Sequence, residues 1–251
     1  MTRAVVVAPH PDDEVLGASG VLRDAEVTVV HVSDGVPPWA APGEGPGLLR
    51  RRRAECAAAW ELLGAEVADV VRLGLEDLGV WRAVPELAQL LAHVLGALAP
   101  TSVHVPAYQG GHPDHDATFA AALLARRATG DRHRWFVYGL YGYDASGTLC
   151  FGALDPGAYP GATRLAQAPP DLERKATALG CFASQLRPGS IVQRWLDAPG
   201  AEGCARLPPG LPADPGTCFY DHELDFARFG VTSAVVRTEL EHGLGGRGPV
   251  G

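Results

Sequence analysis

Several features are scarce or missing in this 251-residue sequence. No basic stretch leading into a short apolar core opens it, and no apolar run nears the roughly 18 residues a spanning helix needs. A secreted or membrane-spanning protein is therefore not expected, and the reading is cytoplasmic with no membrane partner. Cysteine is sparse: Cys56, Cys150, Cys181, Cys204 and Cys218 are odd in number and scattered, with no CxxC pair. That pattern signals neither a thiolate zinc site nor a disulfide framework, and it leaves a Cys204–Cys218 bridge as the one pairing to check. Positive charge is in deficit, with 21 Lys and Arg against 29 Asp and Glu for a net −8, so nucleic acid is not an expected partner. Internal repeats are absent, and the only compositional bias is toward Gly (31) and Pro (21).

What remains is ordinary globular composition, 47% hydrophobic and 20% charged, on a chain long enough for one large domain. Short β-branched runs alternate with helical stretches over roughly the first 140 residues. Strands are expected at Ala4–Ala8, Glu26–Ser33, Val67–Leu73, Ser102–Pro106 and Trp135–Tyr141, and helices near Asp13–Asp24, Leu48–Leu63, Pro85–Leu98 and Asp114–Ala128. This rhythm predicts an α/β fold with a Rossmann-like, mostly parallel sheet flanked by helices. After Tyr141 Gly and Pro punctuate the chain too densely for regular elements, so a loop-rich C-terminal cap is expected over residues 143–251, on a core of residues 1–142 within a single domain of residues 1–251. Asp171–Leu186 reads there as a helix with Asp171 as N-cap, and Thr232–Leu240 as a final strand.

In such sheets ligands gather beyond the carboxyl ends of the strands. A dinucleotide-binding protein would place G-x-G-x-x-G after the first strand. Here the stretch is "APHPDDEVLGASG", with His10, Asp12, Asp13 and Glu14, and a second loop, "GGHPDHDAT", holds His112, Asp114 and His115 after a later strand. Each loop places two of these groups three residues apart where the chain turns into a helix, so their side chains converge. One imidazole and one carboxylate from the first loop with one imidazole from the second make an N/N/O set suited to a catalytic zinc. Asp12 and His112 are the groups left for a general base and a protonated oxyanion donor, although spacing does not decide between Asp12 and Asp13, or between His112 and His115, as metal ligands. Taken singly, Asp12 or Asp114 at a helix start would be an N-cap and a histidine near a turn a surface group. Two H-P-D motifs, each between a strand and a helix, outweigh that reading.

These two stretches resemble the paired signatures of the PIG-L/LmbE-like zinc N-deacetylases, and "RRAECAAAWELLGA", "LGLEDLG" and "KATALGCFASQL" resemble further segments of that family. The resemblance implies one zinc per chain, with Fe²⁺ or Co²⁺ as substitutes, held by His10, Asp13 and His115. It also implies Asp12 as general base, His112 as the oxyanion-stabilising group, and Asp77 and Arg52 as substrate-binding residues. The implied reaction removes an N-acetyl group from a small amino sugar or glycoside. The alternatives are a metal-dependent amidase acting on a larger conjugate and a non-catalytic sugar- or nucleotide-binding module. Among the other histidines, His31 and His104 read as structural, and His222, beside Asp221 and Glu223, as a group that could approach the site. Tyr141, Tyr143, Tyr159 and Trp195 form a candidate sugar-binding wall, against the plainer reading of loop anchors.

Overall fold

The computed structural model describes residues 3–130, 132–144, 146–165, 167–222 and 226–245. Its first part is a run of strand–helix units: β1 (Arg3–Ala8), α1 (Asp13–Asp24), β2 (Glu26–Ser33), α2 (Gly45–Leu63), β3 (Val67–Leu75), α3 (Val84–Leu98), β4 (Ser102–Pro106), α4 (Pro113–Thr129) and β5 (Arg134–Tyr138). Then follow the hairpin strands β6 (Tyr141–Tyr143) and β7 (Leu149–Phe151), β8 (Thr163–Leu165), α5 (Pro169–Leu179), α6 (Ile191–Asp197), β9 (Glu202–Arg206), α7 (Phe219–His222) and α8 (Ser233–Gly245). The main sheet has seven strands in the order β3-β2-β1-β4-β5-β9-β8. Its first five are parallel neighbours.

Strands β1 and β4 are buried nearly throughout because helices cover both faces, which is why they read as continuous apolar runs. Alternate residues still choose sides. Val5, Val7, Val103 and Val105 pack with α3, α4 and α8, whereas Ala4, Val6, Val27 and Val29 pack with α1, α2 and α5. The chain leaves β1 toward β2 on one side, and β4 lies on the other. A crevice therefore opens at the carboxyl ends of β1 and β4, the topological switch point of the sheet.

The C-terminal part departs from a cap of loops. β9 pairs antiparallel with β5 and β8 with β9, so this segment extends the main sheet as well as covering it. Thr232–Leu240 is helical in α8 from Ser233 onward; Val236 and Leu240, four residues apart, are its buried positions, and this helical period overrides the β-branched composition. Helix α5 stops at Leu179 and has Ala168 at its N-cap position with no side-chain cap, while Asp171 lies in its first turn and pairs with Arg23. All five cysteines are free, so Cys204 and Cys218 are not bridged. Among the described residues no helix is long and apolar enough to cross a membrane.

Candidate metal centre and active site

The turns after β1 and β4 face each other across the crevice. His10 Nδ1 lies 3.1 Å from Asp13 Oδ2, His115 Nε2 lies 3.2 Å from the same oxygen, and the two nitrogens are 3.3 Å apart. The three donors form a nearly equilateral triangle. Tetrahedral zinc with bonds near 2.0 Å needs donors about 3.3 Å apart, so this set fits the ion without rearrangement. All three residues are buried, and His10, His112 and His115 also bring their ring nitrogens within 4.8 Å of one another.

Behind this face, His10 Nε2 is 3.3 Å from both Asp77 Oδ1 and Asp114 Oδ2. An imidazole that faces a metal with one nitrogen and a carboxylate with the other has its tautomer and ring orientation fixed. Asp114 is the residue the sequence reading undervalued. It does not cap α4: the cap is His112, whose Nδ1 accepts from the Asp114 backbone N–H at 3.2 Å. The Asp114 side chain is fully buried and accepts the backbone N–H groups of Leu78 and Val80 at 2.7 and 3.1 Å. It thereby ties the segment carrying Asp77 to the metal face. A second H-P-D following a strand was the available signal, but capping is the commoner use of such an aspartate. Asp77 stands against His10, one side-chain contact from the donors.

Asp12 occupies the N-cap position of α1 but makes no capping bond, and its backbone is at φ 148°, a region that costs a non-glycine residue about 1–3 kcal/mol. Its surroundings hold it there. Arg52 Nη2 donates to Asp12 Oδ2 at 3.1 Å and to Pro11 O at 2.9 Å, Arg52 Nη1 donates to Gly35 O at 2.6 Å, and Asp12 N donates to Glu14 Oε2 at 3.2 Å. Arg52 is only 3% exposed, and these three acceptors engage its guanidinium. Arg52 therefore braces the loop. Glu14 is anchored in turn by Trp60 Nε1 at 3.0 Å, and His31, stacked on Trp60, places Nε2 3.4 Å from Glu14 Oε2.

Burial resists ionisation of Asp13, but the imidazoles of His115 and His10 outweigh it and hold the carboxyl well below its ordinary range. For His10 burial favours the neutral ring, yet Asp77, Asp114 and Asp13 hold its pKa well above the ordinary value. Asp12 goes the other way: burial, only partly offset by Arg52, pushes it up to about 7. Burial and the neighbouring His10 and His115 push His112 well below its ordinary value. A neutral His112 whose Nδ1 is an acceptor carries its proton on Nε2 and is a hydrogen-bond donor there.

Of the remaining expectations, His104 lies buried in β4 with Nε2 3.1 Å from Ser102 Oγ, and His222 is exposed, while Glu223 lies outside the described residues. The aromatic wall divides. Tyr159 and Trp195 are 2% and 1% exposed and anchor the core, whereas Tyr141 sets its ring edge-on to His115 at 5.3 Å between centroids. Tyr143 packs on Phe219.

The profile of the PIG-L family, described as GlcNAc-PI de-N-acetylase, matches residues 5–126, the stretch that supplies both turns of the crevice. Residues 5–126 form a PIG-L family domain. The chain is 28% identical to a probable N-acetyl-alpha-D-glucosaminyl L-malate deacetylase 2 from Bacillus subtilis (strain 168), a match covering 52% of this chain and 64% of that relative's length. A deacetylase triple mutant involved in the teicoplanin biosynthetic pathway superposes with TM-score 0.61 at 25% identity, over 82% of this chain and 97% of that one. The fold of the PIG-L domain and its C-terminal extension is shared more widely. The 4-carboxy-2-hydroxymuconate hydratase GalB of Pseudomonas putida KT2440 matches with TM-score 0.53 at 19% identity, covering 85% of this chain and 99% of that one. The side chains at the crevice, and not the sheet, therefore decide the reaction.

Proposed function

We propose that this chain is a zinc-dependent N-deacetylase that hydrolyses the acetamide of an amino-sugar-containing small molecule. The observation that carries the proposal is the triangle of His10 Nδ1, Asp13 Oδ2 and His115 Nε2, with sides of 3.1 to 3.3 Å, next to a strained carboxyl, Asp12, pushed up to about 7. The amino-sugar class is supported by the Bacillus subtilis relative and by the family description.

His10, Asp13 and His115 would hold the ion, which when bound supplies Lewis acidity toward water and the amide carbonyl. The chain's own groups supply the rest. Asp12 accepts a proton from the attacking water as its oxygen bonds to the acyl carbon. The neutral His112 donates from Nε2 to the oxyanion that develops on the carbonyl oxygen. Asp12 then returns its proton to the sugar nitrogen as the C–N bond breaks, leaving acetate and a free amine. A carboxyl with a pKa near 7 is matched to both accepting and returning a proton at neutral pH. Arg52 orients Asp12 through the 3.1 Å bond, and Asp77 stands behind His10, 3.3 Å from its Nε2.

Acetate and amine release from N-acetylated amino sugars and their glycosides, with and without a chelator, tests the reaction. Asp12→Asn is expected to keep its metal and lose on the order of 10²- to 10⁴-fold in rate. His115→Ala is expected to purify with little zinc. A nearly full-speed Asp12→Asn enzyme removes Asp12 from the mechanism, and full metal occupancy in His115→Ala overturns the ligand set.

A further inference from the structure

Beside the metal face runs a row of aromatic rings that the proposed chemistry does not use. Phe226, 4% exposed, sets its ring perpendicular to His112 at 5.2 Å between centroids. Trp39, on the loop between β2 and α2, lies 6.0 Å from Phe226 and is stacked on Phe229 at 5.6 Å and 29°. Arg228 places its guanidinium 4.8 Å from the Phe229 ring centroid and 5.8 Å from that of Trp39. The row is thus continuous from a group of the active site to the protein surface. At its outer end Trp39 is still 41% exposed although Phe226 and Phe229 back it.

A single exposed apolar residue is ordinary, but a tryptophan held by two rings and joined through one of them to a catalytic histidine is a prepared stacking face. We propose that the exposed part of the Trp39 ring is a binding subsite for an apolar ring attached to the amino sugar, so that the substrate is a ring-bearing glycoside and not the free sugar. The inference rests on the deacetylase reading for what occupies the metal face, and on the aromatic row for what lies beyond it. With the acetamide at His10, Asp13 and His115, a group attached to the sugar would meet the row that leads from His112 through Phe226 to the exposed Trp39. An apolar ring gains most there, because it covers indole surface that water now wets and offers the ring a face-to-face partner.

The test is equilibrium binding of the product amines, which does not depend on turnover. Phenyl and methyl glycosides of glucosamine are titrated into the metal-loaded protein by calorimetry, using wild type, Trp39→Ala and Trp39→Phe. Wild type should bind the phenyl glycoside about five- to tenfold more tightly, the worth of one aromatic stack. Trp39→Ala should abolish the difference and Trp39→Phe should retain most of it. The corresponding N-acetyl glycosides should show the same preference in KM, with kcat little different between the two. Equal affinities in wild type overturn the proposal, as does a phenyl preference that survives Trp39→Ala or a Trp39→Ala defect confined to substrates with a long acyl chain. Phenyl-selective binding without acetate release from any glycoside would leave the subsite standing and remove the deacetylase reading instead.

Discussion

Single residues here do work that neighbouring residues make affordable. Asp12 sits at φ 148° because Arg52, Glu14 and the first turn of α1 each hold one of its polar atoms. Asp114 acts at one remove from the metal face, holding His10 Nε2 and two backbone N–H groups. Asp114→Asn is therefore expected to weaken zinc affinity by about 10- to 100-fold, read by competition with a chromogenic chelator. His104 gives a prediction in pH. Burial, with a smaller contribution from Arg134, lowers its pKa from 6.5 to about 4. Between those values the unfolded chain binds a proton that the folded chain refuses, so stability is full above about pH 6.5 and falls by about 3 kcal/mol on acidification toward pH 4. Urea titrations at several pH values should show a shallower loss for His104→Leu than for wild type over that window. The pair spacing of His10 and Asp13 was legible because three residues into a helix start is a short reach. The role of Asp114 was not, because its partners Leu78 and Val80 lie far away in sequence.

At the scale of elements, α1 is not one straight helix. Ala18 leaves helical geometry at φ −133°, freeing Leu16 O on one side of the break and the N–H groups of Ser19 and Gly20 on the other. A buried ion pair fills the break. Lys175 Nζ, from α5, donates to Leu16 O at 2.6 Å and to Glu202 Oε1 at 2.8 Å, while Glu202, from β9, accepts Ser19 N, the Ser19 hydroxyl and Gly20 N. The sole lysine of the chain is thus spent on orienting the turn that carries Asp13. Nearby, Glu55 of α2 accepts from Ser184 N and Oγ at 2.8 and 2.6 Å, which gives the segments containing Arg52 and Lys175 a common purpose as a frame behind the active-site loop. Lys175→Met alone should destabilise by about 3–5 kcal/mol because it leaves Glu202 buried and unpaired. Pairing it with Glu202→Gln, which keeps an acceptor for Ser19 and Gly20, should recover more than about 1 kcal/mol of that loss, as measured by urea denaturation. A helical motif pointed to α5, but nothing in it named Glu202 as a partner.

For the whole molecule, sheet order decides where chemistry can occur. With β1 and β4 adjacent and the chain leaving β1 toward β2, two turns more than 100 residues apart meet over one crevice. A metal held by both turns would staple the two halves of the parallel sheet together. A zinc concentration about 1,000-fold above Kd adds about 4 kcal/mol to unfolding, which for a chain of this size raises Tm by about 10 °C. Thermal melts with and without a chelator should show that drop, and added zinc should restore it. A transition indifferent to chelation would contradict a metal bridging the two turns.

The sequence by itself determined the strand–helix rhythm, the parallel core and the two histidine-aspartate turns, because each is written in local periodicity or in residues a few positions apart. Tertiary structure decided the rest. That β9 would join the sheet, that α8 would be a helix despite its β-branched residues, that Arg52 would brace a loop, and that Trp39 would reach Phe226 all depend on contacts between distant segments. Burial on one face, not composition, settles which of two locally permitted conformations such segments adopt.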